Sequence, residues 1–120
     1  MCGAGAVGCG MRYLIGLWAH ARFGDRFPVG TLIVNVVGAL LMGLVMELSV
    51  RMADFSPNLR FALTSGFLGG LTTYSAFNHE TTRLALDGST LRAGANLALT
   101  IVLCLAAGLV GIALARRLAG

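Results

Sequence analysis

Apolar runs about as long as a bilayer is thick follow one another four times along this chain, separated only by short turns. They extend from about Cys2 to Ala19, Pro28 to Val50, Pro57 to Leu86 and Leu91 to Leu114. A spanning helix needs roughly 20 mostly apolar residues, so four spans consume most of the 120 residues. The connections "HARFGDRF", "RMADFS" and "ALDGST" hold turn residues and little else. No separate soluble domain fits, and residues 1–120 read as one domain. Only 12% of residues are charged, against about 25% in soluble domains. A soluble protein this small has too much surface for its volume to hide the remainder. The expected fold is an all-α, multi-pass integral membrane protein of the cell membrane, with its apolar faces against lipid or a partner.

The basic residues are all Arg and stand singly, mostly near the ends of the runs, where the long side chain reaches headgroups and water. No basic stripe interleaved with aromatics is present, so nucleic acid is not an expected partner. Cys2, Cys9 and Cys104 lie in apolar segments at spacings that fit no zinc motif, and read as small packing residues. The N-terminus lacks the basic flank of a cleavable leader. Ala107, Gly111 and Ala115 repeat every four residues, a seam suited to close helix crossing.

Orientation is balanced. With four spans, Arg51, Arg60, Arg116 and Arg117 share one side, and Arg22, Arg26, Arg83 and Arg92 the other. Flanking Arg and Lys set orientation, and four against four sets none. Two oppositely inserted copies forming an antiparallel, dual-topology homodimer is the expectation that follows.

The polar groups inside the spans carry the functional reading, since such groups are costly in lipid. Asn35 lies one turn after Thr31, and is either an interhelical hydrogen bond or a donor to a transported ion. In the third span, "GFLGGLTTYSAFNHETTRL" is a weak helix former at Gly69-Gly70-Leu71-Thr72-Thr73, and a break there is predicted. A break frees backbone carbonyls, which membrane depth tolerates only where protein or an ion covers them. The alternative is an unbroken helix whose glycines permit close crossing. Tyr74 and Phe77 then share a helical face, as core or lipid-facing rings or as a lining whose partly positive edges suit an anion. Glu80 must pair or meet water, and Arg83 or Arg12 are candidate partners. Asn96, Thr100 and Cys104 repeat every four residues, as a polar track or as local bonds to the preceding turn. No catalytic triad, metal cluster or phosphate loop has workable spacing, and the chain does not read as an enzyme.

Together "GCGMRY", "PVGTLIVNVVGALLMG" and "GFLGGLTTYSAFNHET" resemble the Fluc/CrcB family of fluoride channels over nearly the whole chain. The resemblance implies an antiparallel dual-topology homodimer with two pores, passing fluoride passively. It implies pore roles for Asn35, Tyr74, Phe77, Ser75, Glu80 and Thr81, with Asn96, Thr100 and Cys104 as the polar residues of the fourth span. It also implies a structural sodium ion held by the Gly69 and Thr72 carbonyls. Tyr74 departs from the phenylalanine frequent there, Asn78-His79 is unusual, and Cys104 is a weaker donor than serine. Fluoride is strongly hydrated, so a pore must replace its water with donors and positive edges while holding it weakly enough to release. A membrane potential, worth about 2.3 kcal/mol per charge per 100 mV, then drives the anion out. A small dual-topology multidrug exporter is the rival reading, but it needs a carboxylate in the first span, which holds Arg12 instead. A non-transporting subunit of a membrane complex is the other.

Overall fold

The computed structural model describes Met1–Gly120, and every regular element is helical. Helix α1 (Cys2–Phe23) is followed by α2 (Val29–Arg51). The third span is a composite of α3 (Pro57–Phe61), a π-helical stretch π1 (Ala62–Leu68), a single α turn α4 (Gly69–Leu71) and α5 (Tyr74–Leu86). Helix α6 (Thr90–Leu118) closes the chain. The spans therefore run up, down, up and down, and the molecule measures 52 Å along its longest axis. That exceeds the roughly 30 Å hydrocarbon layer.

Local chemistry explains the helix ends. Ser56 caps α3, its hydroxyl accepting from the Leu59 N–H at 3.4 Å, and Pro57 follows where a missing N–H costs nothing. Gly24 and Gly88 turn the chain after α1 and α5 with φ of 75° and 85°, values that favour glycine. Helix α1 continues past the predicted Ala19 through "HARF", because His20 and Arg22 reach water from a last helical turn.

Two crossings organise the bundle. In the first, α1 lies on π1 and α4: a β-carbon on Gly8 would overlap the Phe67 carbonyl, and one on Gly70 would overlap the Gly5 carbonyl. In the second, α2 runs parallel to α6, and a β-carbon on Gly111 would overlap the Leu40 carbonyl. Ala115, the next residue of that seam, is fully buried. Small residues thus allow backbone-to-backbone contact where lipid supplies no hydrophobic drive. At the far end, Glu47 Oε1 accepts from Arg51 Nε at 2.8 Å and from Arg116 Nε at 3.0 Å, tying α2 to α6.

The core is thin. Val34, Leu68 and Leu71 form its centre, flanked by Ile15, Leu41 and Phe67. Only 13 of 120 residues are buried. Helices α2 and α6, with mean hydropathy 2.3 and 2.7, are each long and apolar enough to cross a membrane. Leu97, Ile101, Val102, Leu105 and Leu109 lie bare along α6. A side-chain row of this kind is stable only against lipid or another chain.

The break in the third span falls at the end of the predicted window. Gly69 and Gly70 are helical, and the helix stops instead at Thr72 (φ −88°, ψ 157°) and Thr73 (φ −151°, ψ 124°). Both are extended, the conformation that β-branched residues prefer. Gly70 gives α1 its close approach, and the threonines make the break.

Candidate functional site

The break is held open by a side chain from another helix. Asn35, on α2, accepts from the Thr73 N–H through Oδ1 at 2.8 Å, and donates from Nδ2 to the Thr73 carbonyl at 3.0 Å. One amide therefore satisfies both backbone groups of an extended residue, as a neighbouring strand would. Thr73 also caps α5, its hydroxyl accepting from Ala76 N–H at 3.2 Å. Thr72 stays tied to the preceding turn, its N–H and hydroxyl both donating to the Leu68 carbonyl, at 2.9 and 2.8 Å. Gly38 makes room for Thr72, since a β-carbon there would overlap the Thr72 methyl. Because Asn35 takes the Thr73 N–H, the Gly69 carbonyl four residues back loses its helical donor.

Two cavities lie near this break. A groove of about 400 Å³ is lined by Asn35, Thr72, Thr73, Tyr74, Phe77, Thr100, Ile101, Cys104 and Leu105. A second cavity, of about 390 Å³, lies one helical turn away along both α2 and α5. It runs from Thr31 and Glu80 out to His20, Asp25, His79, Arg83 and Asp87, with His20 paired to Asp25. A hydrogen bond from the Thr31 hydroxyl to Glu80 Oε1 at 2.8 Å joins two residues of the second cavity, one turn from Asn35 and Phe77 of the groove. The other Glu80 oxygen is buried without a partner. A polar cavity and a largely apolar groove with a few placed donors thus lie on either side of that hydrogen bond.

The aromatic pair divides its duties. Phe77 is 8% exposed, whereas Tyr74 is 79% exposed on the open side of the groove. Their ring centroids lie 5.8 Å apart at 56°. At this tilt the rings are not stacked face to face, and an aromatic edge carries the partly positive rim.

The hydroxyls differ in whether their proton is free. Thr81 donates to the Phe77 carbonyl at 2.7 Å. Ser75 and Thr73 share one contact at 3.3 Å. Thr100 reaches Asn96 Oδ1 only at 3.5 Å, a loose contact, and Cys104 is partly exposed in the groove. Asn96 is 1% exposed and donates from Nδ2 to Thr81 at 2.8 Å, so it lies behind the groove wall. Asn35, Tyr74, Phe77, Thr100 and Cys104 are therefore brought to one groove, Glu80 to the second cavity, and Thr81 and Asn96 to the packing between α5 and α6.

Sequence reasoning did not find Thr73 as the braced residue or Thr31 as the donor to Glu80. The four-residue spacing of Thr31 and Asn35 was the available signal, since it puts both on the face of α2 that meets α5. Arg12, considered as a partner of Glu80, instead lies with its Nη2 4.0 Å from Cys9 Sγ and its Nε buried without a partner.

Residues 1–112 match the family model described as "CrcB-like protein, Camphor Resistance (CrcB)". The chain is 52% identical over 114 residues to a protein of Citrifermentans bemidjiense named "Fluoride-specific ion channel FluC", an alignment covering 95% of this chain and 92% of the relative. A protein of the same name from Geobacter sp. strain M21 is 53% identical over the same shares. One from Sorangium cellulosum is 47% identical, over 95% of this chain and 90% of its own length.

Proposed function

Because this chain belongs to the CrcB family, whose matched relatives are fluoride-specific ion channels, we propose that it is a membrane channel passing fluoride passively out of the cell. An anion entering the polar cavity meets His20, His79 and Arg83, then passes the Thr31–Glu80 hydrogen bond into the groove. There its water is replaced by the Asn35 amide hydrogen not used on Thr73, by the rims of Phe77 and Tyr74, and by Thr100 and Cys104, while Ser75, exposed beside Thr73 and outside the groove lining, serves the ion from the open side. None of these is a full positive charge, so binding stays weak enough for release.

The groove is one wall. Its open side, with Tyr74 bare, is closed in our reading by a second copy inserted in the opposite sense, two pores to the dimer. The balanced arginines support that arrangement. A structural sodium ion fits the break: the Gly69 carbonyl is without its helical donor in an exposed residue, and Thr72 is extended nearby. Carbonyls freed by unwound helices are ligands of the kind sodium takes. Bound there, the ion would supply the charge that satisfies carbonyls of both copies.

The observation that carries the reading is the convergence of Asn35, Tyr74, Phe77 and Thr100 on one apolar groove near a polar cavity. Fluoride efflux from liposomes holding only this protein, with chloride as control, tests it. Electrogenic fluoride release without chloride release is expected. Phe77→Ile, which removes the ring rim but keeps apolar bulk, is expected to abolish release while the dimer still elutes intact. Proton-coupled cation efflux, or no flux from the wild type, would overturn the proposal.

A further inference from the structure

Asn96 stands out because it is a fully polar side chain with almost no exposure, placed in an otherwise apolar stretch of α6. Its amide makes the one side-chain hydrogen bond between α5 and α6, from Nδ2 to Thr81 Oγ1 at 2.8 Å. That hydroxyl passes its own proton back one turn, to the Phe77 carbonyl at 2.7 Å. On its other side, Asn96 Oδ1 faces the Thr100 hydroxyl at 3.5 Å. The result is a polar chain running Thr100, Asn96, Thr81, Phe77, with its two ends at the groove and its middle behind the wall.

We infer that Asn96 is a positioning residue of the anion path: it does not touch the ion, but sets the Phe77 ring through Thr81 and parks the Thr100 hydroxyl beside it. The inference rests on the channel reading above.

Three features support the assignment. A threonine hydroxyl bonded back to the carbonyl one turn earlier bends a helix locally, and the bend moves the side chain on that carbonyl's residue. Asn96 holds Thr81 in the rotamer that makes this bond, and so fixes the approach of the Phe77 rim. Both ends of the Thr81 hydroxyl are then occupied, as acceptor from Asn96 and as donor to Phe77, which leaves no proton for an ion. Thr100, by contrast, is held at a length where a hydrogen bond is weak. Its proton can swing from Asn96 to a passing anion and return, so the loaded groove gains a second donor beside the free Asn35 amide hydrogen at little cost.

The test is a coupling measurement on unitary fluoride conductance in planar bilayers. Asn96→Ala and Thr81→Val are each expected to lower conductance at least tenfold in dimers that elute intact. The double variant is expected to lie within about twofold of the lower single, because both substitutions break the same chain. Thr81→Ser, which keeps the hydroxyl, is expected to recover at least half the wild-type conductance relative to Thr81→Val. A residue that only packs helices would lower dimer stability without this non-additivity. Multiplying effects in the double variant, or wild-type conductance in Asn96→Ala, would overturn the inference. Should Asn96→Ala fail to fold, the nearly isosteric Thr81→Val carries the decision, and conductance equal to wild type refutes the proposal. A wild-type protein that passes no fluoride would refute the channel reading first, before any variant is compared.

Discussion

Asn35 braces the break and, in the channel we propose, still has a donor for the transported ion. Its oxygen and one of its amide hydrogens are committed to Thr73, and one hydrogen is left for the groove. Asn35→Asp keeps the acceptor for the Thr73 N–H but sets an oxygen against the Thr73 carbonyl. The expected outcome is loss of fluoride flux together with a destabilisation of about 1–3 kcal/mol, the usual cost of an unpaired buried group. Liposome efflux and an unfolding titration in mixed micelles read the two effects separately. That Asn35 mattered was legible in the sequence, since an amide in the middle of an apolar span must be bonded to something. Its partner was not, because Thr73 lies 38 residues away and its extended backbone follows from the packing that brings α2 against the break.

At the scale of elements, the ends of the third span were legible because Pro57 and the Asp87-Gly88 turn are strong punctuation. The π-helical stretch Ala62–Leu68 was not, since its register answers to neighbours: Gly66 lies under Met1 and Ala4, and Leu68 sits in the core. The break was expected from the two glycines and the β-branched threonines together; the threonines carry it, and Gly70 serves the crossing with α1 that was the alternative reading of the glycines. Gly8→Val is therefore expected to be severe, above the about 1–3 kcal/mol of ordinary overpacking, because its obstacle is the Phe67 backbone. Gly10→Ala, where no atom lies within 4 Å, is expected to be neutral or to stabilise by up to about 1 kcal/mol through helix propensity. Thermal unfolding in detergent compares the pair, and equal losses would contradict the crossing described.

For the whole molecule, the thin core and the bare faces of α1 and α6 mean that one copy in isolation leaves its groove open on one side. Membrane class and span number were legible from apolar run lengths, and the balance of arginines suggested two insertion senses. Arg60→Gln with Arg117→Gln leaves two arginines facing four and spares the Glu47 clamp. C-terminal reporters are expected on both membrane faces for the wild type and mainly on one for this variant, with fluoride flux from cells reduced at least several-fold. Co-expression with Arg22→Gln/Arg26→Gln, biased the opposite way, is expected to restore flux. Full flux from either biased variant alone would rule out an inverted pair. The clasp of Asn35 on Thr73 has a further consequence, in the order of biosynthesis. A ribosome releases α2 well before Thr73, so the socket for the kink exists before the kink is made. The newer segment docks onto a template already made, and a nascent chain lacking it has only the extended preference of two threonines to keep α4 and α5 from joining into one straight rod.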